Sequence, residues 1–385
     1  MSLLREIIAR RIGSNGPLAF AEYMDLSLYH PRHGYYSRLD HRSGQTGDFF
    51  TSVDVGTVFG ELLAKQFAEM SLSIRQLAES ESNRFLMLVE AGAGNGTLAS
   101  DVLDATAKNH PELYEAIQLT LVEQSATARA SHVASLGTHS EKLGLSTDTL
   151  PNKITGVIYA NELLDALPVH PIVMTESGLK EVYIDLDPHN EERFVERLGP
   201  PSSVVIEHID RFGIALEPGW RAEISPASVS WVEQAGRALD LGFLVLIDYG
   251  HVANQLYSAT HASGTLATYE RHVVSQSPAH MDASWLLNPG SVDITAHVDL
   301  TAVQQAAESV GLETLTVVDQ TYFLLGLSST ETQTPGNTIQ ELKRRLALKT
   351  LLLPGGLGSS HKVMIFGKNV GRLRLRASSF STRTT

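Results

Sequence analysis

The stretch that predicts the fold is Leu86-Met87-Leu88-Val89-Glu90-Ala91-Gly92-Ala93-Gly94-Asn95-Gly96. It has the pattern of a buried strand that ends in a carboxylate, followed by glycines at alternate positions, where backbone can approach a ligand closely. Residues with helical spacing come next, at Leu98, Val102 and Leu103. The pattern predicts a strand, a glycine turn and a helix, which together form the first βα unit of a nucleotide-binding α/β domain.

The positions of two acids indicate which nucleotide derivative would bind there. A dinucleotide fingerprint has the spacing G-x-G-x-x-G, whereas this chain has E-x-G-x-G-x-G, beginning at Glu90. The Glu90 carboxylate would repel a phosphate and attract the ammonium and sulfonium groups of S-adenosylmethionine. A second predicted strand, 118–123, ends at Glu123, which is placed to accept hydrogen bonds from ribose hydroxyls. We therefore expect S-adenosylmethionine at Glu90, Gly92, Gly94, Gly96 and Glu123; the alternative is an ordinary glycine-rich turn.

The composition limits the class of protein. The chain has 385 residues, enough for one core domain with insertions or for two domains. The net charge of −13 argues against nucleic acid as a partner, and the lack of cysteine excludes disulfides, thiolate zinc sites and cysteine nucleophiles. The sequence has no apolar run long enough to cross a bilayer, and residues 1–8 lack the apolar core of a signal peptide. We expect a cytoplasmic protein without a membrane partner.

Strand and helix patterns alternate along the chain, which predicts a doubly wound, mostly parallel sheet. The expected domains are an N-terminal helical lobe (1–84), a nucleotide-binding core (85–168 and 226–368), an antiparallel insertion on the substrate side (169–225) and a disordered basic tail (369–385). Within the insertion, segments 171–174, 180–186 and 204–209 have the pattern of strands. Residues 250–298 show little periodicity and are expected to form a long functional loop.

A second polar motif follows the predicted strand 155–160, and it contains Asn161, Glu162 and Asp165. The carboxyl end of such a strand faces the ligand crevice of an open α/β sheet. A helical turn over 162–166 would place Glu162 and Asp165 on one face, as two adjacent carboxylates. The alternative is a capped helix start that ends at Pro168.

Seven ordered signatures resemble the MidA-like class I methyltransferases, from about residue 15 to residue 367. They are Leu28 to Pro31 with Gly34 to Tyr36, Gly47 to Ser52, Phe59 to Glu61, Glu90 to Gly96, Asn161 to Pro168, Gly264 to Leu266, and Asp293 to Asp299. One departure is Thr51-Ser52-Val53-Asp54, where relatives have Thr-Ser-Pro-Glu. The resemblance implies a seven-stranded Rossmann-like sheet, S-adenosylmethionine as cofactor and arginine on a protein as substrate. The family includes a complex I assembly factor that dimethylates an arginine of the 49-kDa subunit.

Several residue roles follow from the resemblance. Gly92, Gly94 and Gly96 would line the methionine part of the cofactor, and Gly47, Asp48 and Phe49 would help to close the pocket. Asn161 would contact the cofactor and the reacting group. Glu162 and Asp165 would bind the substrate guanidinium, because a carboxylate pairs with its fork of donors, and would receive its proton.

The remaining candidates have both functional and structural interpretations. Tyr35 and Tyr36 could bind a guanidinium through cation–π contacts or pack the N-terminal lobe. His297 precedes a helix with Asp299 as its expected cap, so it is a catalytic candidate or a capping neighbour. His30, His33 and His170 lack metal-ligand spacing, and no metal is expected. Two other functions stay open: methylation of a small molecule or peptide, and a non-catalytic assembly factor that binds S-adenosylmethionine. The sequence leaves open the oligomeric state and the number and symmetry of the methyl groups.

Overall fold

A computed structural model describes residues 3–37, 52–77, 85–270, 273–275, 283–328, 338–352, 361–371 and 373–380. The α-helices, numbered in chain order, are α1 (Leu3–Asn15), α2 (Phe20–Tyr29), α3 (Val58–Leu77), α4 (Thr97–Asn109), α5 (Pro111–Ala116), α6 (Ala126–Leu136), α7 (Ser203–Phe212), α8 (Pro226–Ala238), α9 (Ala253–Leu256), α10 (Ser284–Leu287), α11 (Leu300–Ser309), α12 (Gln320–Ser328) and α13 (Ile339–Leu352). Short 3₁₀ turns lie at Tyr35–Ser37, Gly137–Lys142, Ala259–His261 and Arg376–Phe380.

The strands are β1 (Leu18–Ala19), β2 (Leu86–Ala91), β3 (Ile117–Val122), β4 (Leu143–Thr147), β5 (Ile154–Asn161), β6 (His170–Thr175), β7 (Gly178–Asp187), β8 (Asn190–Gly199), β9 (Arg221–Ile224), β10 (Leu239–His251), β11 (Ala267–Glu270), β12 (Val273–Ser275), β13 (Asp293–Thr295), β14 (Val298–Asp299), β15 (Glu313–Asp319) and β16 (His361–Lys368).

The chain divides into two compact units. Unit 1 contains Met1–Phe49, Leu164–Trp231 and Gly250–Ala306, and unit 2 contains Phe50–Leu163, Val232–Tyr249 and Ala307–Thr385. Helix α3 therefore belongs to unit 2, although the sequence placed it in a lobe that extends to residue 84. The segment that the sequence assigned to an insertion belongs to unit 1, together with the N-terminal residues.

Unit 2 contains the predicted doubly wound sheet, whose strand order is β15-β16-β10-β5-β2-β3-β4. The pairs β2–β3, β2–β5, β3–β4 and β5–β10 are parallel, whereas β16 runs antiparallel to both of its neighbours. Near-continuous apolar strands such as Leu86–Ala91 are typical of a parallel sheet buried on both faces. Parallel pairing brings the carboxyl ends of β2, β3, β5 and β10 to one edge, and the antiparallel β16 begins at that edge.

Helix α3 packs on this sheet with an apolar stripe that includes Phe59, Phe67 and Met70, all fully buried. The C-terminal segment also joins this core. Val370, Leu375 and Ala377 are at most 4% exposed, so the prediction of a disordered tail is wrong for the described residues 369–371 and 373–380. The prediction of disorder was based on the charged and Ser/Thr-rich composition of this segment. It overlooked the apolar side chains, which are buried in the core.

Unit 1 contains an antiparallel sheet in the order β1-β7-β6-β9, with β8 paired to β7. The antiparallel expectation for this region is confirmed, but residues 204–209 lie in helix α7 and the strand prediction there is wrong. The apolar pattern of Val204 to Ile209 suggested a strand, whereas these residues form a helix that ends before Gly213, which is in the left-handed region (φ 63°). A second, three-stranded sheet, β12-β11-β13, replaces part of the long loop that was predicted over 250–298.

Among the described residues, no helix combines the length and the apolar character that crossing a membrane requires.

Candidate active site

The glycine turn after β2 has the backbone geometry that its sequence predicts. Gly92, Gly94 and Gly96 have φ angles of 68°, 53° and 87°, a left-handed conformation that favours glycine. A Cβ on Gly94 would meet no atom within 4 Å, so this part of the turn borders open space. A Cβ on Gly92 would lie 3.0 Å from the Cδ1 of Leu163, which places the turn beside the end of β5.

Two side chains hold the backbone of this turn. The Oε2 of Glu123 accepts a hydrogen bond from the Gly94 amide at 2.9 Å, and its Oε1 accepts one from the Ser125 amide at 2.8 Å. His132 is fully buried, and its Nε2 lies 2.9 Å from the Gly94 carbonyl oxygen. Because a carbonyl only accepts, Nε2 carries a proton, and in the neutral ring Nδ1 accepts from the Ser146 hydroxyl at 2.9 Å. His132 was not predicted, because its role depends on a contact across 38 residues.

Glu90 has a different environment from the one expected of a direct partner for a cation. The residue is 4% exposed, and its Oε2 accepts a hydrogen bond of 2.9 Å from the hydroxyl of the fully buried Tyr159. Burial raises the pKa of Glu90 to about 8, which keeps its carboxyl group largely protonated at neutral pH. These contacts stabilise the strand that precedes the glycine turn, and the role of Glu90 in binding the cofactor stays a prediction.

Asn161 and Glu162 stand at the end of β5, on the strand next to β2. The predicted helical turn over 162–166 is wrong: these residues form bends and turns, and Glu162 has a φ of 52°. Its amide donates to the Ile247 carbonyl at 2.8 Å, which fixes this conformation. A non-glycine residue in this region costs about 1–3 kcal/mol and is frequent at functional sites. The Oδ1 of Asn161 is buried with no hydrogen-bond partner among the described residues.

Two residues that the sequence did not indicate complete the surroundings of the Glu162 carboxylate. Tyr249 donates its hydroxyl to Oε2 at 3.3 Å, and the Nε2 of the fully buried His361 lies 3.3 Å from Oε1. Tyr249 and His361 are register partners on β10 and β16, with ring centroids 4.0 Å apart. Asn161 Nδ2 donates to Oε1, also at 3.3 Å. Each of these contacts is longer than a strong hydrogen bond, so the carboxylate keeps capacity for another donor.

The other predicted carboxylate, Asp165, lies in unit 1, where it is 5% exposed and its carbonyl accepts from the Ala296 amide at 3.0 Å. Because no helical turn forms over 162–166, the prediction of one shared helical face for Glu162 and Asp165 is wrong, and the role of Asp165 stays a prediction. Tyr36 donates to the Asp293 carboxylate at 2.9 Å, and burial raises its pKa well above the usual value. Tyr35 is 2% exposed in the unit 1 core, which favours its packing interpretation.

His297 is part of a group of three half-buried histidines in unit 1. One possible ligand atom from each of His251, His261 and His297 lies within 4.8 Å of the other two. Burial and the neighbouring histidines lower the pKa of His297 to about 4. Asp299 caps helix α11 as predicted, because its Oδ1 accepts from the Thr301 and Ala302 amides. Gly47, Asp48 and Phe49, which were predicted to close the cofactor pocket, lie outside the described residues.

The sheet of unit 2 and its glycine turn are those of a class I methyltransferase-like α/β fold. The backbone-lined space at Gly94 and the adjacent Glu123 carboxylate fit S-adenosylmethionine, the cofactor of this class. Residues 62–318 match the model of a family described as "Putative S-adenosyl-L-methionine-dependent methyltransferase", and the chain belongs to this family. It is an S-adenosylmethionine-dependent methyltransferase.

Known relatives cover most of the chain. The mitochondrial protein arginine methyltransferase NDUFAF7 of Rattus norvegicus is 30% identical over an alignment of 348 residues, and the match covers 84% of this chain and 73% of the relative. The human protein of the same name is 29% identical and covers 80% of this chain and 69% of its own length. A Burkholderia thailandensis crystal structure bound to S-adenosyl-homocysteine has a TM-score of 0.83, 27% identity, and coverage of 98% of this chain and 95% of its own. Since the curated relatives are mitochondrial, a cytoplasmic location remains a prediction.

Proposed function

We propose that this methyltransferase adds a methyl group to a guanidinium nitrogen of an arginine in a protein, and that Glu162 is its principal catalytic residue. The observation that carries the proposal is the position of the Glu162 carboxylate. It lies at the carboxyl edge of the sheet, on the strand next to the glycine turn, in a left-handed backbone conformation. The names of the curated relatives, which are protein arginine methyltransferases, support the choice of substrate.

The surroundings of Glu162 suit a cationic planar group. A guanidinium keeps its charge at all ordinary pH values and presents donors in a fork that matches a carboxylate. Tyr249 and His361 each contact the carboxylate at 3.3 Å and orient it. Glu162 therefore has an orientation set by the protein and lone pairs left for a substrate.

Methyl transfer forms a nitrogen–carbon bond while the carbon–sulfur bond of S-adenosylmethionine breaks and its electron pair goes to sulfur. In the proposal, Glu162 orients the attacking nitrogen and receives the proton that this nitrogen loses. Orientation of two reactants can account for about 7–11 kcal/mol of an activation barrier. General acid–base catalysis typically raises the rate by about 10²–10⁴-fold. Positioning by Glu162 is thus the larger effect. Asn161 and Asp165 keep their predicted roles as proposals to be tested beside it.

The test is transfer of a labelled methyl group from S-adenosylmethionine into an extract of cells that lack this chain, followed by hydrolysis and amino-acid analysis. The 49-kDa-type subunit named by the resemblance is the first purified substrate to try. Wild type should produce methylarginine in protein, and Glu162→Gln should lose at least about 99% of turnover. Glu141→Gln, the same change at an exposed position of unit 2, is the matched control.

The outcomes separate the candidate functions. Label in protein as methylarginine supports the proposal, and label on a small molecule or a free peptide contradicts it. Unchanged turnover of Glu162→Gln would remove Glu162 from the mechanism while leaving the substrate class intact.

A further inference from the structure

We propose that His251, His261 and His297 form a binding site for a divalent transition-metal ion, with Zn²⁺ as the expected ion. The proposal goes beyond methyl transfer, because all three residues belong to unit 1. It also departs from the expectation based on histidine spacing, which could not detect ligands contributed by three separate segments.

The distances among the three side chains support such a site. Three atoms no more than 4.8 Å apart leave a point within about 2.8 Å of all of them, whereas zinc–nitrogen bonds measure about 2.0–2.1 Å. Each donor atom would move inward by less than about 1 Å, which side-chain rotation supplies. The rings already lie together, with centroid separations of 4.7 Å between His251 and His261 and 5.2 Å between His251 and His297.

The hydrogen bonds of His261 prepare it as a ligand. Its Nδ1 lies 2.9 Å from the carbonyl oxygen of Gln255, which can only accept. Nδ1 of the neutral ring therefore carries the proton, and Nε2 presents a lone pair. Metal-binding histidines usually have this arrangement, in which the second ring nitrogen donates to a carbonyl or a carboxylate. The Nδ1 of His297 is buried with no hydrogen-bond partner among the described residues, and an ion bound there would supply one.

The backbone that carries the three histidines is held by well-defined contacts. His251 ends β10 and is the register partner of Asp299 on β14, two residues after His297. The His297 amide donates to the Thr265 hydroxyl at 3.0 Å, and Thr265 in turn donates its own amide to Glu223. These contacts use residues of the signatures Gly264 to Leu266 and Asp293 to Asp299.

The donor set selects the type of ion. Imidazole nitrogen suits Zn²⁺, Cu²⁺, Ni²⁺ and iron, whereas Mg²⁺ and Ca²⁺ require oxygen ligands. Three histidines leave at least one coordination position for water or for another ligand, as in zinc sites with three protein ligands. A bound ion would join the end of β10, the 3₁₀ turn Ala259–His261 and the segment that leads into α11.

The experiment measures metal binding by the tag-free full-length chain after chelator treatment and dialysis. ZnCl₂ is titrated by calorimetry, and CoCl₂ is titrated with the visible absorption of the bound ion as a second readout. Wild type should bind one Zn²⁺ per chain, and His261→Gln and His297→Gln should each weaken binding by about 100-fold or more. The control is His33→Gln, which removes one ring of the stacked pair His30 and His33 in the same unit and should not change binding.

The results decide the proposal in either direction. Absence of stoichiometric zinc binding to wild type would overturn it. Equal affinity of His261→Gln and wild type, or a loss in His33→Gln as large as in His297→Gln, would also overturn it. His261 is half-buried in a short turn, so His261→Gln tests the site even where His297→Gln disturbs folding. Neither readout depends on methyl transfer, so a failure here leaves the proposed function unaffected.

Discussion

The Nε2 atom of His361 lies 3.3 Å from the Oε1 atom of Glu162, although 199 residues separate them in the sequence. The side chain of His361 is fully buried and can reach the carboxylate only because β16 begins at the sheet edge where β5 ends. His361 is therefore a positioning residue for Glu162, and the two should act as a unit.

His361→Asn should lower kcat about 10-fold or more while leaving the Kd for S-adenosyl-homocysteine within about 2-fold, because it disturbs Glu162 and not the glycine turn. The kinetics of His361→Asn, Glu162→Gln and the double variant should be strongly non-additive. Steady-state assays of S-adenosyl-homocysteine formation measure kcat, and calorimetry measures Kd. Additive losses would show that His361 acts independently of Glu162.

Gly94→Val should abolish cofactor binding, because the side chain would enter the open space beside the turn. Gly94 has a φ of 53° and no neighbour within 4 Å of a Cβ, and Gly137 in the same unit matches it with a φ of 51° and the same open surroundings. Gly137→Val therefore introduces the same side chain at another position of positive φ, away from the turn. We expect more than about 100-fold weaker binding for Gly94→Val and wild-type Kd for Gly137→Val by calorimetry. Similar losses in both variants would attribute the effect to strain.

The parts of the site that the sequence predicted are those encoded by local pattern. The strand, turn and helix around Gly92 to Gly96 lie within 24 residues of continuous chain, from Leu86 to Asn109, and apolar spacing and glycine positions specify them. The position of Asn161 and Glu162 at the edge of the sheet was predicted for the same reason, since they stand at the end of a recognisable strand. Tyr249 and His361 were missed because their role depends on strand order and register, which single-sequence patterns do not encode.

The errors also have physical causes. The backbone at Glu162 takes a left-handed conformation that a backbone hydrogen bond to Ile247 supports, so the helical spacing that would join it to Asp165 never forms. Residues 204–209 include β-branched side chains, which are common in strands, but they form helix α7, which ends before Gly213. Tertiary packing thus outweighs the local preference for a strand. The histidine group of unit 1 comes from three segments and has no linear signature.

Glu90→Gln should change how stability depends on pH. Burial raises the Glu90 pKa from 4.5 to about 8, so between these values the folded protein holds a proton that the unfolded chain has released. This group therefore makes the free energy of unfolding fall as pH rises through that window, by at most about 1.4 kcal/mol per pH unit. Glutamine cannot titrate, so the variant should lose this contribution. Urea unfolding at pH 5, 6, 7 and 8 measures it, and identical slopes for both proteins would contradict a buried, protonated Glu90.

Glu123→Gln should weaken cofactor binding by about 10–100-fold, because an amide offers one acceptor oxygen where the turn requires two. The Gly94 and Ser125 amides each donate to a different oxygen of the Glu123 carboxylate. Calorimetry with S-adenosyl-homocysteine gives the affinity, and Glu115→Gln at an exposed position of the same unit is the control. Unchanged affinity of Glu123→Gln would show that neither the turn nor the ribose depends on this carboxylate.

Gly264→Ala should destabilise unit 1 and weaken the proposed zinc site together. Gly264 has a φ of 81°, and a Cβ there would lie 2.4 Å from the Oε1 of Glu223, a carboxylate that is 5% exposed and accepts hydrogen bonds from Thr265. The Thr265 hydroxyl accepts a hydrogen bond from the His297 amide. A displacement of Glu223 should therefore also displace the histidine group. Gly219→Ala, with a φ of 88° and no atom within 4 Å of its Cβ, shares the backbone strain without the clash. We expect Gly264→Ala to lower the free energy of unfolding by about 2–4 kcal/mol and Gly219→Ala by about 1 kcal/mol, measured in urea. Equal effects of the two substitutions would mean that Glu223 moves freely and does not hold this part of the fold.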